Sequence, residues 1–380
     1  MIQAAVGYSD DVDSADAMRE AIAQCRAQMQ APPKAAFLFA SYEQDHDALL
    51  AEFNRAFPGL PLIGGTSTAQ ITSSGRYAED SVALILFASD DVEFGIGLGR
   101  NLSVDPLRAA REAVQQAKSN LSAPPTLAIA FPESLTTSGE RIIEGLKAEL
   151  GTAFPIFGGT TSDSHTGKGT FQYFRTERLT DSLPVLLLSG NVRFSFAVRS
   201  GYKPIGKKRT ATKVKGNRVY ELDGESLLDL YQKYLGDINL VSPEYPLAVF
   251  ENGSDQFYLR TSQFFDAKDG CVIFDGDIPE GAVMQFTDGT RSDLLDAAGS
   301  AVRSAIQAFP GQPRVALIFS CATRVLTLGT KVKEEYAVLD SVRPGGCCAG
   351  GFYVYGEIAP LERGGPTCFH NATFVTLLLG

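Results

Sequence analysis

Val315-Ala316-Leu317-Ile318-Phe319-Ser320-Cys321-Ala322-Thr323-Arg324 is the stretch whose reading decides the fold of this chain. Five apolar residues in a row, closed by small and polar ones, are the pattern of a buried strand that carries polar side chains to a sheet edge. Downstream come a helical segment holding Glu334 and Glu335, then Gly350-Gly351-Phe352-Tyr353-Val354-Tyr355-Gly356-Glu357. Phe369-His370-Asn371-Ala372-Thr373 then leads into a last apolar strand, Phe374 to Leu379. The local grammar is helix, strand, helix, strand, with polar residues gathered at strand ends.

The same grammar runs outward toward the N-terminus. Ala15 to Gln30 has helical apolar spacing and stops at Pro32-Pro33; Ala35 to Ala40 is a strand and His46 to Phe57 a helix. Leu62-Ile63-Gly64-Gly65-Thr66-Ser67 follows, then a polar loop and the strand Ser81 to Ala88. A second round has strand Val92 to Leu98, helix Pro106 to Lys118, strand Leu127 to Phe131 and helix Ser138 to Leu150. It closes with Ile156-Phe157-Gly158-Gly159-Thr160-Thr161 and the strand Val185 to Ser189, so that Gly64 and Gly158 lie 94 positions apart. The third round is read from Val283, with a helix from Leu294 to Ala308. A strand-rich insert with one helix, Ser226 to Leu235, precedes it. The expected fold is α/β of mixed α+β type: repeated helix-strand-helix-strand units forming mixed sheets, with helices packed outside. Two pseudosymmetric domains are expected, 1–191 with two units, and 192–380 with the insert 192–281 and the third unit 282–380.

Length and composition fit that reading. At 380 residues, 44% hydrophobic and 21% charged, the chain has the make-up of a folded globular protein, and roughly 100 to 200 residues per domain gives two or three domains. A net charge of −10 argues against nucleic acid or anionic membrane as a partner. Lys203 to Arg218 is the local exception, with seven basic residues and no acidic one. It reads either as a solvated hairpin or as a docking patch for an acidic partner. Six cysteines match no disulfide framework and no CxxC metal spacing. Met1 to Asp11 has neither the basic start nor the apolar run of a signal peptide, and no stretch approaches the ~18 apolar residues of a membrane span. The expected address is the cytoplasm.

The C-terminal motifs carry a resemblance. Ser320-Cys321-Ala322-x-Arg324, a downstream Glu, Gly351-Phe352-Tyr353-x-Tyr355-Gly356-Glu357-Ile358 and His370-Asn371-x-Thr373 occur in the order found in the FIST family. Lys203 to Gly206 and Gly216 to Gly224 resemble that family's joint between its two halves. The resemblance covers nearly the whole chain. It implies a cytoplasmic small-ligand sensory or adaptor module of signal transduction, rather than a defined enzyme. No transmembrane sensor or F-box module is expected in cis ahead of the first unit, so output is expected to pass to another protein in trans.

Candidate site residues follow from chemistry at the strand ends. Gly64-Gly65 and Gly158-Gly159 either let backbone N–H groups approach an anionic ligand, with Thr66, Ser67, Thr160 and Thr161 adding hydroxyls, or are plain tight strand exits. Arg324 offers a planar fork for a carboxylate, or is the buried partner of Glu335 or Glu357. Glu357 either accepts a ligand amine or is a structural acceptor; with Arg324 it would hold an amino acid. Tyr353 and Tyr355 share one strand face, as do Asn371 and Thr373, and both pairs suit a pocket wall or ordinary packing. Ser320 joins them at the strand end. Cys321 with His370 as base is the catalytic alternative, a thiol-dependent hydrolase or transferase, against a small buried thiol. His46 and His165 read as surface residues. No phosphate-cradling glycine motif and no metal-ligand spacing occurs, so no cofactor or metal is expected. The function read from the sequence is a sensor of a small polar metabolite, such as an amino acid; a ligand-free adaptor docking through the basic insert is the other alternative.

Overall fold

The computed structural model describes all residues except 134, 237–243 and 251–254. The first unit comprises β1 (Gln3–Ser9), α1 (Ser14–Gln28), β2 (Ala35–Ala40), α2 (His46–Ala56), β3 (Leu62–Thr66), β4 (Gln70–Thr72), β5 (Arg76–Ala78) and β6 (Val82–Ala88). The second has the same order of elements: β7 (Val92–Arg100), α3 (Pro106–Lys118), β8 (Pro125–Ala130), α4 (Gly139–Leu150), β9 (Ile156–Gly159), β10 (Gln172–Phe174), β11 (Glu177–Leu179) and β12 (Ser182–Gly190). Local signals set these boundaries. Asp13, Asp45 and Asp105 cap α1, α2 and α3 with their carboxylates, and Pro106 stands in the first turn of α3.

The third unit opens with β13 (Phe194–Arg199). The insert then contributes β14 (Lys203–Lys215), β15 (Arg218–Leu222), β16 (Glu225–Ser226), α5 (Leu227–Leu235), β17 (Leu247–Phe250), β18 (Phe257–Arg260), β19 (Ser262–Asp266), β20 (Cys271–Phe274) and β21 (Val283–Asp288). The unit resumes with α6 (Arg291–Ala308), β22 (Val315–Cys321), α7 (Ala322–Leu328), a 3-10 turn at Gly329–Lys331, α8 (Lys333–Val342), β23 (Cys348–Val354), β24 (Glu357–Pro360), β25 (Thr367–His370) and β26 (Phe374–Leu379). The insert therefore sits inside the third unit. Phe194–Arg199, expected to belong to the insert, pairs with β26 in the third unit's own sheet, and Val283 closes the insert instead of opening the unit.

The sheets are mixed, as expected, and three of them share one plan. Their orders are β1-β6-β2-β3-β10-β11, β7-β12-β8-β9-β24-β25 and β13-β26-β22-β23-β4-β5. Each sheet has four strands of its own unit and a hairpin given by another. The first unit lends β4-β5 to the third, the third lends β24-β25 to the second, and the second lends β10-β11 to the first. The polar loops expected after Ser67 and after Thr161 contain β4-β5 and β10-β11, whereas β24-β25 carries Glu357, Phe369 and His370 of the C-terminal motifs. The insert builds a separate eight-stranded sheet around the long, bulged β14.

The inner faces of the three sheets meet in one apolar core, where Phe39 stacks on Phe352 and Phe131 stands edge-on to both. Burying each such ring contributes about 1.5–3 kcal/mol. Helices α1 to α4, α6 and α8 cover the outer faces. No helix among the described residues is long and apolar enough to cross a membrane.

Candidate functional site: a carboxylate-lined cleft between the second unit, the third unit and the insert

The sequence-selected residues divide into a buried network and one cleft residue. Arg324 is fully buried on α7. Its Nε and Nη2 donate to Glu335 Oε1 at 2.8 and 2.6 Å, Nη1 donates to Ser200 O at 2.7 Å, and Nη2 also to Leu294 O at 2.8 Å. Glu335 Oε2 receives the hydroxyls of Ser320 at 3.3 Å and Tyr353 at 2.5 Å. The fork expected to hold a ligand carboxylate is thus engaged by the protein, and Arg324, Ser320 and Tyr353 form a structural ion-pair network.

Glu357 is likewise inside. It accepts from the N–H of Thr373 at 3.0 Å and its hydroxyl at 2.6 Å, which ties β24 to the turn before β26. Burial pushes its carboxyl up to about 8, so it is largely a neutral acid. Arg324 and Glu357 therefore do not present a carboxylate fork and an amine acceptor to one amino acid. Asn371 is fully buried beside them, in the turn where Ala372 takes φ of 56°, so the expected shared strand face with Thr373 does not form.

The Gly-Gly corners are packing devices. A Cβ on Gly65 would strike the Thr161 side chain and the Phe171 carbonyl, and one on Gly159 would strike the Val354 side chain. Thr66 Oγ1 accepts from Phe171 N, and Ser67 Oγ accepts from Gln70 Nε2. Thr160 is fully buried. These residues hold the borrowed hairpins and the sheet junctions together, and the ligand cradle expected of them is absent from the cleft wall.

Cys321 is buried against Glu357, and desolvation together with that carboxylate raises its thiol well above the ordinary value. His370 Nε2 lies 2.8 Å from Ala359 O, and burial lowers the ring to about 4. A high thiol pKa and a weakly basic imidazole do not activate a nucleophile. Accordingly, a mild thiol reagent on the native protein is expected to label the partly exposed Cys348 or Cys368 before Cys321. Peptide mapping of the labelled sites checks this, and preferential labelling at Cys321 would contradict it.

The chemistry that opens to solvent lies elsewhere, in a cleft of about 630 Å³. One wall is the loop entering α4. Ser138 stands at the N-cap position without capping the helix; its single hydroxyl proton lies between Glu140 Oε2 at 2.9 Å and Asp277 Oδ2 at 2.8 Å. The opposite wall is the insert, fastened by the buried Arg260, which pairs with Glu140 and donates to Phe369 O at 3.0 Å. Asp275 and Asp277 project from this wall. Desolvation raises Asp275 to about 6 against a hydrogen bond from Thr261.

The third wall is the loop after β9. Ser164 and His165 both adopt positive φ, 59° and 60°, a conformation costly for non-glycine residues and concentrated at functional sites. Asp163 fixes the loop by accepting from Thr166 Oγ1 at 3.0 Å, Gly169 N at 3.1 Å and the Tyr355 hydroxyl. These donors outweigh the upward push of burial and hold its carboxylate below the usual range. His165 N donates in turn to Tyr355 Oη at 2.7 Å.

Thr137 and Ser262 complete the lining. They are 9% and 2% exposed; the Thr137 hydroxyl has no hydrogen-bond partner among the described residues, and the Ser262 hydroxyl lies against that of Tyr231. Tyr355 is the sequence-selected residue that reaches this cleft; its expected neighbour Tyr353 turns the other way because β23 ends at Val354. His165 is at the surface as expected, whereas His46 is buried, its Nδ1 2.6 Å from the Tyr173 hydroxyl. The hydroxyl run Thr136-Thr137-Ser138 before α4 and the Asp275-Gly276-Asp277 turn were the available sequence signals for the missed wall.

Two further candidates resolve into structure. Six of the seven basic residues from Lys203 to Arg218 have acidic partners, among them Lys203–Asp293 at 2.5 Å, Lys207–Asp223 at 3.6 Å and Arg209–Glu225 at 2.6 Å. The segment is a charge-paired hairpin and not a bare cationic patch. Asp266, Asp269 and Cys271 lie close enough together for a metal ion, but Arg218 Nη1 already lies 3.3–3.5 Å from all three.

The chain is a mixed α+β protein with a polar cleft where its sheets and the insert meet. Residues 34–225 match the FIST N domain and residues 228–360 the FIST C domain, and the chain belongs to the FIST family. FIST domains are sensory, ligand-binding modules of signalling. The chain is 24% identical over 390 residues to uncharacterized proteins of Mycobacterium bovis and Mycobacterium tuberculosis, covering 97% of this chain and 96% of theirs. An uncharacterized protein of Methanocaldococcus jannaschii is 34% identical over 98 residues, 26% of this chain and 18% of that one. Among solved structures, a cyanuric acid hydrolase from A. caulinodans aligns over 99% of both chains with a TM-score of 0.42 and 9% identity.

Proposed function

We propose that this protein is a cytoplasmic sensory module that binds a small polar metabolite bearing an amino group, such as an amino acid, and signals to another protein in trans. The observation that carries the reading is the cleft lining: Asp275 and Asp277 face one volume with hydroxyls and aromatic rings, the fully buried Asp163 holds the Tyr355 hydroxyl beside them, and no lysine or arginine lines it among the described residues. An ammonium group is the complement of such a wall, through ion pairing and through attraction to the rings of Tyr355 and Phe369. The uncapped start of α4 offers backbone N–H groups and a favourable dipole to a ligand carboxylate. The buried hydroxyls of Thr137 and Ser262 supply further hydrogen bonds. A volume near 630 Å³ suits a small metabolite. The common strand plan supports reading the three units as repeats of one module.

The test is a thermal-shift and calorimetric series with the common L-amino acids and their deaminated counterparts. At least one amino acid is expected to raise the melting temperature while its counterpart does not, and Asp275→Asn is expected to weaken it about tenfold or more. Because Asp275 must be ionised to hold an ammonium, affinity should fall as pH drops through about 6. Equal affinity for an amino acid and its deaminated counterpart, or none for any amino acid, contradicts the proposal.

A further inference from the structure

Leu135 and Leu326 are 44% and 47% exposed, among the large apolar side chains that the fold leaves in water, and both line this one cleft. They come from the loop before α4 and from α7, so no single amphipathic element explains the pair. Both are held in place. Glu133 accepts from the N–H groups of Leu135 and Thr136 and from the Thr136 hydroxyl, which fixes the loop. Leu326 rides on α7, anchored by the buried Arg324 two residues earlier and by Leu328 two residues later.

Isolated exposed leucines are ordinary on protein surfaces. Two fixed leucines in one concave site, with the rings of Phe274 and Phe369 in the same lining, form an apolar subsite beside the carboxylates of Asp275 and Asp277. Resting on the amine-binding reading above, we infer that the ligand is an amino acid with an apolar side chain, which covers Leu135 and Leu326 while its ammonium meets the carboxylate wall. A leucine side chain exceeds that of serine by several buried carbons, and each buried methylene is worth a few-fold in affinity.

Calorimetric titration of L-leucine and L-serine into the full chain tests this. Leucine is expected to bind about tenfold or more tightly than serine, and Leu326→Ser is expected to erase most of that preference by weakening leucine far more than serine. Leu326 is half exposed, so unchanged melting of the variant serves as the folding control. Equal affinities, or a preference for serine, would overturn the apolar subsite and leave the amine site standing. If neither amino acid binds while another polar one does, the apolar assignment alone falls. If no amino acid binds, both readings fall together.

Discussion

Arg324→Ala is expected to cost about 3–5 kcal/mol of stability, by the same amount with and without ligand. Deleting the guanidinium leaves Glu335 charged and fully buried, with only the hydroxyls of Ser320 and Tyr353 to serve it. It also frees the carbonyls of Ser200 and Leu294, and so loosens β13, α6 and α7 together. Lysine should rescue little, because one ammonium cannot reproduce four donor contacts spread over a planar fork. Denaturant unfolding of the wild type and both variants measures this. A stable Arg324→Ala protein with weakened amino-acid affinity would restore Arg324 to the binding site and remove it from the frame.

Glu357→Gln is expected to change how stability depends on pH rather than to change ligand affinity. The folded carboxyl lies at about 8 against an ordinary 4.5, because burial disfavours its charge. A folded pKa above the unfolded one means the native state holds the proton that the unfolded state releases. This group's stabilising contribution is full below about 4.5 and is lost as pH rises through about 8. His370 acts in the opposite sense. Its folded pKa of about 4 against 6.5 costs stability only as pH falls below 6.5. The window from about 6.5 to 8 therefore isolates Glu357, and stability there should fall with rising pH by up to a few kcal/mol. The amide should remove that slope, since it keeps the acceptor for Thr373 without a charge to desolvate. A variant with the wild-type slope and weaker amino-acid binding would contradict both this assignment and the position of the cleft.

The unit grammar was legible because its strands are long apolar runs and its helices have acidic caps and proline stops. Val315 to Phe319, Ala35 to Ala40 and Pro106 to Lys118 could hardly be read otherwise. The borrowed hairpins were not legible. Gln70–Thr72 and Gln172–Phe174 are three residues each, too short for a period-two pattern, and their partners lie in other units. Phe194–Arg199 alternates like any half-buried strand, so only its pairing with β26 assigns it to the third unit.

The site was less legible than the fold for a related reason. Arginine after a buried strand is consistent both with a ligand anchor and with an ion pair, and only the spatial position of Glu335 on α8 distinguishes them. Tyr353 and Tyr355 are two apart, yet the strand ends between them, so one is a core group and the other a wall of the cleft. Asp163, Asp275 and Thr137 belong to separate loops, and acidic and hydroxyl residues in loops are ordinary turn chemistry. Their meeting depends on Arg260, which binds the insert to α4 and β25 through contacts that no local pattern encodes.

The most direct measurement of the cleft assignment is calorimetric titration of L-leucine into the wild type and into Thr137→Val with Ser262→Ala. Both substitutions keep the side chains close to their original size; the first removes a hydroxyl with no partner among the described residues, and the second one whose neighbour is the Tyr231 hydroxyl. The account expects affinity to fall at least about tenfold with the melting temperature of the free protein unchanged or raised. Undiminished leucine binding in the double variant would place the site elsewhere in the molecule.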